Sequence, residues 1–150
     1  MPSRPAPSPR PVPTRVLFVC TGNSGRSQMA EALLAAWGGA DFDAASAGTA
    51  PAGVSPFTVK ALAELGIDWH RAQSKPLARF LGRPFDVVIT LCDSAREACP
   101  VFPGPGVSLH WDIDDPADAV GSEAIQLAAY RTAREAIAAH LQVFLAQRRP

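Results

Sequence analysis

A chain of 150 residues with 47% hydrophobic content has the size and composition of one globular domain around a single core. Lys plus Arg and Asp plus Glu both number 14, so no bulk field favours nucleic acid or a membrane surface. No apolar run approaches the ~18 residues that span a bilayer, and three cysteines without an apolar leader argue for working thiols in a reducing cytoplasm over a disulfide framework.

Residues 1–14 carry Pro2, Pro5, Pro7, Pro9, Pro11 and Pro13 with Arg4 and Arg10. Proline at that density forbids helix and interior strand, so an extended tail is expected ahead of a domain over residues 15–150. The run Val16 to Val19 reads as a buried strand ending at Cys20. A small polar loop follows, Thr21-Gly22-Asn23-Ser24-Gly25, and then Arg26 and a helix starting near Ser27. A strand–loop–helix of this kind aims backbone N–H groups into one hollow, where the helix N-terminus adds partial positive charge. Gly22 and Gly25 admit backbone angles closed to other residues. Arg26 can grip two oxygens of a tetrahedral anion with its planar fork, and the field of the hollow favours Cys20 as a thiolate. Alone, C-x5-R also fits a buried cysteine before an ordinary turn; its strand, glycines and helix favour a sulfur nucleophile beneath a phosphate-like anion. The G-x-x-x-x-G-K-[ST] spacing of a nucleotide loop is absent.

Met29, Leu33 and Trp37, with Ala30 and Leu34, mark one apolar helix face, which Gly38-Gly39 ends. Phe42 to Ala47 reads as a second strand, closing on Ser46-Ala47-Gly48. Ser55 suits an N-cap with Pro56 at the first helical position; Phe57, Ala61, Leu62 and Leu65 are its expected buried side, and Gly66 its end. A short helix is expected around Leu77 to Leu81, and the apolar run Phe85 to Leu91 predicts a strand buried on both faces. Val107 to Trp111 is a fourth strand, and Ile125, Ala129, Ile137, Leu141, Phe144 and Leu145 mark a long terminal helix. Strands alternating with helices predict a parallel sheet, with ligands at its C-terminal edge, where Cys20 lies.

The third strand also ends in a cysteine, in Leu91-Cys92-Asp93-Ser94-Ala95-Arg96-Glu97-Ala98-Cys99-Pro100. Cys92 and Cys99 fit two small buried hydrophobes, a dithiol working with Cys20, or, less well for their spacing, a metal pair. The acidic turn His110-Trp111-Asp112-Ile113-Asp114-Asp115-Pro116 leaves the fourth strand on the anion side. Asp115, held by the proline, is the candidate general acid, with Asp112 and Asp114 as turn and cap residues.

Taken together, V-C-T-G-N-S-G-R-S-Q-M-A-E, S-A-G, V-I-T-L-C-D-S-A-R-E-A-C-P and H-W-D-I-D-D-P-A resemble the thioredoxin-coupled arsenate reductases of the low-molecular-weight protein tyrosine phosphatase superfamily. The resemblance runs from Arg15 to the last helix. It implies a single-domain three-layer α/β/α fold with a four-stranded parallel sheet in 2-1-3-4 order. It implies reduction of arsenate to arsenite by Cys20 as nucleophile, with Thr21, Gly22, Asn23, Ser24, Gly25 and Arg26 binding the oxyanion. Ser27 would stabilise the thiolate, Asp115 would be the acid, and Cys92 and Cys99 the relay and resolving thiols. Thioredoxin or a similar dithiol would be the partner of a monomeric protein. No cofactor is required, although some relatives bind a potassium ion beside the loop, and Asn23, Glu31, Ser46 and Asp68 fall at matching places. The alternative within the fold is a phosphatase working through a Cys20 phosphocysteine. The third reading, an oxyanion or redox sensor without turnover, leaves the full Cys–Arg–Asp set unexplained. Two departures stand out. Many relatives carry a further cysteine where Gly25 stands, and Asp115-Pro116 is followed by Ala117-Asp118-Ala119, which offers no aromatic platform for a phosphotyrosine ring.

Overall fold

The computed structural model describes residues 12–148. The expected tail therefore lies, through residue 11, outside the described residues, and Thr14 already belongs to the first strand, paired with Phe42. Four strands follow in the chain: β1 (Thr14–Cys20), β2 (Phe42–Gly48), β3 (Val87–Thr90) and β4 (Val107–His110). All pair in parallel in the order β2-β1-β3-β4, as expected for strands separated by helical crossovers. Val16, Leu17, Phe18 and Val19 are each 0% exposed, so the strand at the sheet's centre is covered on both faces. That is why its sequence is continuously apolar instead of alternating.

The two faces of β1 sort the molecule into layers. Val16, Phe18 and Cys20 point toward α1 (Arg26–Gly38), α2 (Pro56–Ala63) and α4 (Glu123–Arg148), joining Met29, Leu33, Leu62, Ile137 and Leu141 in the larger core. Leu17 and Val19 point the other way, toward Ala47, Phe80, Phe85, Val88 and Ala95, under a 3-10 turn (Leu77–Phe80) and α3 (Asp93–Ala98). Each fully buried Leu or Ile in these layers contributes roughly 1.5–3 kcal/mol from burial.

Local signals place the helix ends. Ser55 caps α2 by accepting from the Phe57 amide at 3.2 Å, with Pro56 at the first helical position. That helix ends at Ala63, so Leu65 falls in the following turn and is exposed, against the expectation that it is buried. Ile125 is likewise exposed, because the buried face of α4 starts a turn later, at Tyr130. Arg134 lies in that face, donating to the Ala61 carbonyl at 2.7 Å and pairing with Glu64 at 2.8 Å. The parallel register sets Cys20 beside Gly48, Val19 beside Thr90 and Thr90 beside His110. Thus the loops after β1, β3 and β4 emerge on one edge.

Candidate active site

The loop between β1 and α1 is held from outside by its carbonyls. Cys20 O accepts from the Thr49 amide (3.1 Å), Thr21 O from Ala50 (2.8 Å) and Gly22 O from Ala52 (2.9 Å) and the Ser74 hydroxyl (2.8 Å). Asn23 O also takes the Ser74 hydroxyl (3.0 Å), Ser24 O takes Ser55 N (3.0 Å) and Thr58 Oγ1 (2.6 Å), and Gly25 O takes Met29 N (2.9 Å). In a trans peptide the N–H of the next residue points opposite each carbonyl. With the carbonyls of 20 to 25 turned outward, the amides of 21 to 26 turn into the hollow, forming an anion cradle. The left-handed residue of this loop is Asn23, at φ +47°, and not either glycine; Gly25 has φ −129° and ψ −84°, outside the helical and extended regions. Asparagine tolerates the left-handed region better than most side chains. Gly48 lets β2 close on the loop, since a Cβ there would stand 2.5 Å from Thr21 O and 2.9 Å from Asn23 N. At Gly25 a Cβ would meet the ring of Tyr130, from α4, at 3.2 Å, so a side chain there would require that ring to shift.

Beneath the cradle, Cys20 is 2% exposed and its Sγ lies 2.8 Å from Ser27 Oγ. Asn23 Nδ2 already donates to that hydroxyl at 2.7 Å, so the serine proton is directed at the sulfur. Asn23 is itself saturated. Its second amide hydrogen goes to Ser46 Oγ (2.9 Å), and its carbonyl accepts from Gln28 Nε2 (2.9 Å) and the Lys75 amide (2.8 Å). Arg26, the first residue of α1, is 8% exposed, donates to Ile113 O at 3.1 Å and pairs with Asp115 Oδ2 at 3.3 Å. Asp115 is thus the carboxylate of the acidic turn brought to the cradle, while Asp112 and Asp114 are exposed. Its other oxygen caps the turn at Pro116–Asp118 by accepting from Ala117 N at 3.0 Å.

Cys92 and Cys99 stand at the two ends of α3. Cys92 is half-buried, with its Sγ 3.4 Å from Oγ1 of Thr21, the residue after Cys20, and accepting from Ala95 N at 3.4 Å. Cys99 is half-buried as well, and burial pushes its thiol above the ordinary value. All three cysteines are free thiols.

Of the four residues matching a potassium site, three converge: Ser46 Oγ accepts from Asn23 Nδ2 and donates to Glu31 Oε1 at 2.6 Å. Asp68 does not join them; it is exposed and hydrogen-bonds His70 through both the ring and the backbone amide, which holds its carboxyl below the usual range. In its stead the Lys75 ammonium lies 3.3 Å from Glu31 Oε1 and 3.4 Å from Ser46 Oγ. A side-chain cation already meets Glu31, the one carboxylate among the three that converge, so the residues present do not fit an added potassium ion. Sequence reasoning missed Lys75, Thr58, Ser74 and Tyr130. Only Thr58, inside a helix start already legible from Ser55-Pro56, carried a signal.

Cradle, buried thiol and parallel sheet define a cysteine-dependent, oxyanion-binding class of protein. A model of the low molecular weight phosphotyrosine protein phosphatase family matches residues 15–149, and the chain belongs to this family. The arsenate reductase of Halalkalibacterium halodurans is 40% identical over 129 residues, covering 86% of this chain and 93% of that protein. Among solved structures, an arsenate reductase in the phosphate binding state is 29% identical with a TM-score of 0.72, over 89% of this chain and 98% of that one. The thioredoxin-dependent arsenate reductase of Corynebacterium glutamicum is 32% identical with a TM-score of 0.69, over 95% of this chain and 66% of that one.

Proposed function

We propose that the protein reduces arsenate to arsenite through a relay of its three thiols, and that thioredoxin or a similar dithiol resets it. Arsenate sits in the amides of residues 21–26 with two oxygens on Arg26. The Cys20 thiolate attacks arsenic, and a hydroxide leaves as water with a proton from Asp115. Cys92 then attacks the Cys20 sulfur. The sulfur–arsenic bond breaks with its electron pair staying on arsenic, which departs as arsenite, and a Cys20–Cys92 disulfide remains. Cys99 attacks Cys92, frees Cys20 and leaves a Cys92–Cys99 disulfide for the external dithiol.

The observation that carries this reading is the seat of Cys92 at the cradle, 3.4 Å from Thr21 Oγ1, with Cys99 at the far end of the same short helix. A phosphatase needs Cys20, Arg26 and Asp115, and would use two further thiols there only to protect Cys20 from overoxidation. The family match keeps phosphate ester hydrolysis as the second reading. Against it stand Ala117 and Asp118, which follow the acid and offer no ring to stack on an aryl phosphate. Cys92→Ser and Cys99→Ser separate the two. Thioredoxin-linked arsenate turnover should collapse in both variants, while any aryl phosphate hydrolysis survives. Parent-rate arsenate reduction in both would leave the thiols without a role and contradict the relay, whereas aryl phosphate hydrolysis with no arsenate turnover in the parent would favour the phosphatase.

A further inference from the structure

The nucleophile's hydrogen bonds run unbroken to a lysine. Cys20 Sγ takes the Ser27 proton, Ser27 takes one hydrogen of Asn23 Nδ2, and Ser46 takes the other. Ser46 donates to Glu31, and Glu31 meets the Lys75 ammonium at 3.3 Å. Glu31 and Lys75 are each 17% exposed in their side chains, so this pair closes a mostly buried chain. Leaving Glu31 without a cation at that depth would carry a large desolvation cost.

Lys75 holds the chain at two places. Its backbone amide donates to Asn23 Oδ1 at 2.8 Å, and its ammonium reaches Glu31, Ser46 and the Gln73 carbonyl at 3.3–3.4 Å. The backbone is fixed there: Gly48 N donates to Lys75 O at 2.8 Å, and Gly48 bridges Pro76 as one further parallel rung of the sheet. The ammonium is therefore delivered to a set position among oxygen ligands, as a bound monovalent cation would be.

We propose that Lys75 is a tethered replacement for a potassium ion. It neutralises Glu31 and keeps Ser46 and Asn23 oriented so that Ser27 donates to the Cys20 thiolate. It is a positioning residue, acting through four others and touching neither substrate nor sulfur. The consequence for turnover rests on the arsenate reading, but the consequence for Cys20 reactivity does not.

Two measurements test it. The first needs no lysine variant: arsenate turnover and melting temperature of the whole chain are compared in KCl and NaCl at equal ionic strength. Both should be the same in the two salts; a several-fold stimulation or a marked stabilisation by potassium would overturn the proposal. The second follows iodoacetamide alkylation of Cys20 at fixed pH in a Cys92→Ser/Cys99→Ser background, which isolates that thiol. Lys75→Ala should slow alkylation about fivefold, the scale of one modest hydrogen bond. KCl, or ethylammonium supplied in solution, should restore part of the rate where NaCl does not, and Lys75→Arg should retain it. Parent-rate alkylation in a folded Lys75→Ala protein, or a loss that no cation repairs, would reduce Lys75 to an ordinary ion pair. If alkylation follows this pattern while arsenate is not turned over, the positioning role stands and the arsenate reading fails.

Discussion

Asp115 and Asp114 are adjacent carboxylates with different surroundings. Asp115 faces Arg26 at 3.3 Å and is half-buried, whereas Asp114 is exposed. Only the first is placed to hand a proton to a group leaving the cradle. Asp115→Asn should slow oxyanion chemistry roughly a hundredfold, the usual scale for losing a general acid, and Asp114→Asn much less. Steady-state rates of the two variants check this, and the reverse ranking would assign the acid to Asp114. At this scale the sequence was partly legible. Cys20, Arg26 and Asp115 stand out because their spacing and flanking residues state a chemistry. Lys75 and Tyr130 do not, because their contacts with the site arise only when the segment after α2 and the face of α4 fold back on the loop. The loop's left-handed residue was also hidden, since Asn23 occupies the conformation for which glycine is the expected signal.

At the scale of the element, α3 has to change for the relay to finish. Cys92 and Cys99 flank Asp93–Ala98, and seven residues at 1.5 Å each set their Cα atoms about 10 Å apart while the segment is helical. A disulfide tolerates at most roughly 7 Å. Cys99 has already left helical angles, at φ −71° and ψ 123°, ahead of Pro100, so unwinding starts from a loose end. Oxidation should therefore raise amide hydrogen exchange across residues 92–104 while Val87 to Ile89 in β3 stay protected. Unchanged protection, with the disulfide verified by mass, would refute the unwinding. Burial that pushes up the Cys99 thiol fits this order of events, since the thiol becomes more reactive as the helix opens.

A second element-level feature is the clasp between α2 and α4. Arg131 and Arg134 both donate to Glu64, at 2.5 Å and 2.8 Å, and the hydrogen bond from Arg131 is the main reason its carboxyl falls from 4.5 to about 2. A depressed carboxyl stabilises the fold above its unfolded value, and that stability is lost as pH falls toward the folded one. Glu64→Gln should thus have a slightly lower Tm than the parent at pH 7, with the gap closing between pH 4.5 and 2. The effect is small because the pair is solvated. Equal melting curves at every pH would show that the clasp contributes nothing.

For the molecule as a whole, the alternation of strands and helices and the parallel sheet were legible because buried parallel strands and amphipathic helices carry long periodic signals, whereas the strand order came only with the family resemblance. β1, read from Val16 to Val19, is the clearest instance, and Leu65 and Ile125 show where the signal fades, at helix ends where one apolar residue can fall on either side of a boundary. The shared carboxyl edge then brings loops from three strands to one thiol, which is how a chain of 150 residues gathers Cys20, the loop amides, Arg26, Asp115 and two further thiols. The most direct measurement of what this assembly does is a coupled assay with arsenate, thioredoxin, thioredoxin reductase and NADPH, scoring arsenite formed against NADPH consumed. One arsenite should appear for each NADPH oxidised, with none formed by Cys20→Ser. NADPH left untouched, while an aryl phosphate is hydrolysed by the same preparation, would contradict the thiol relay.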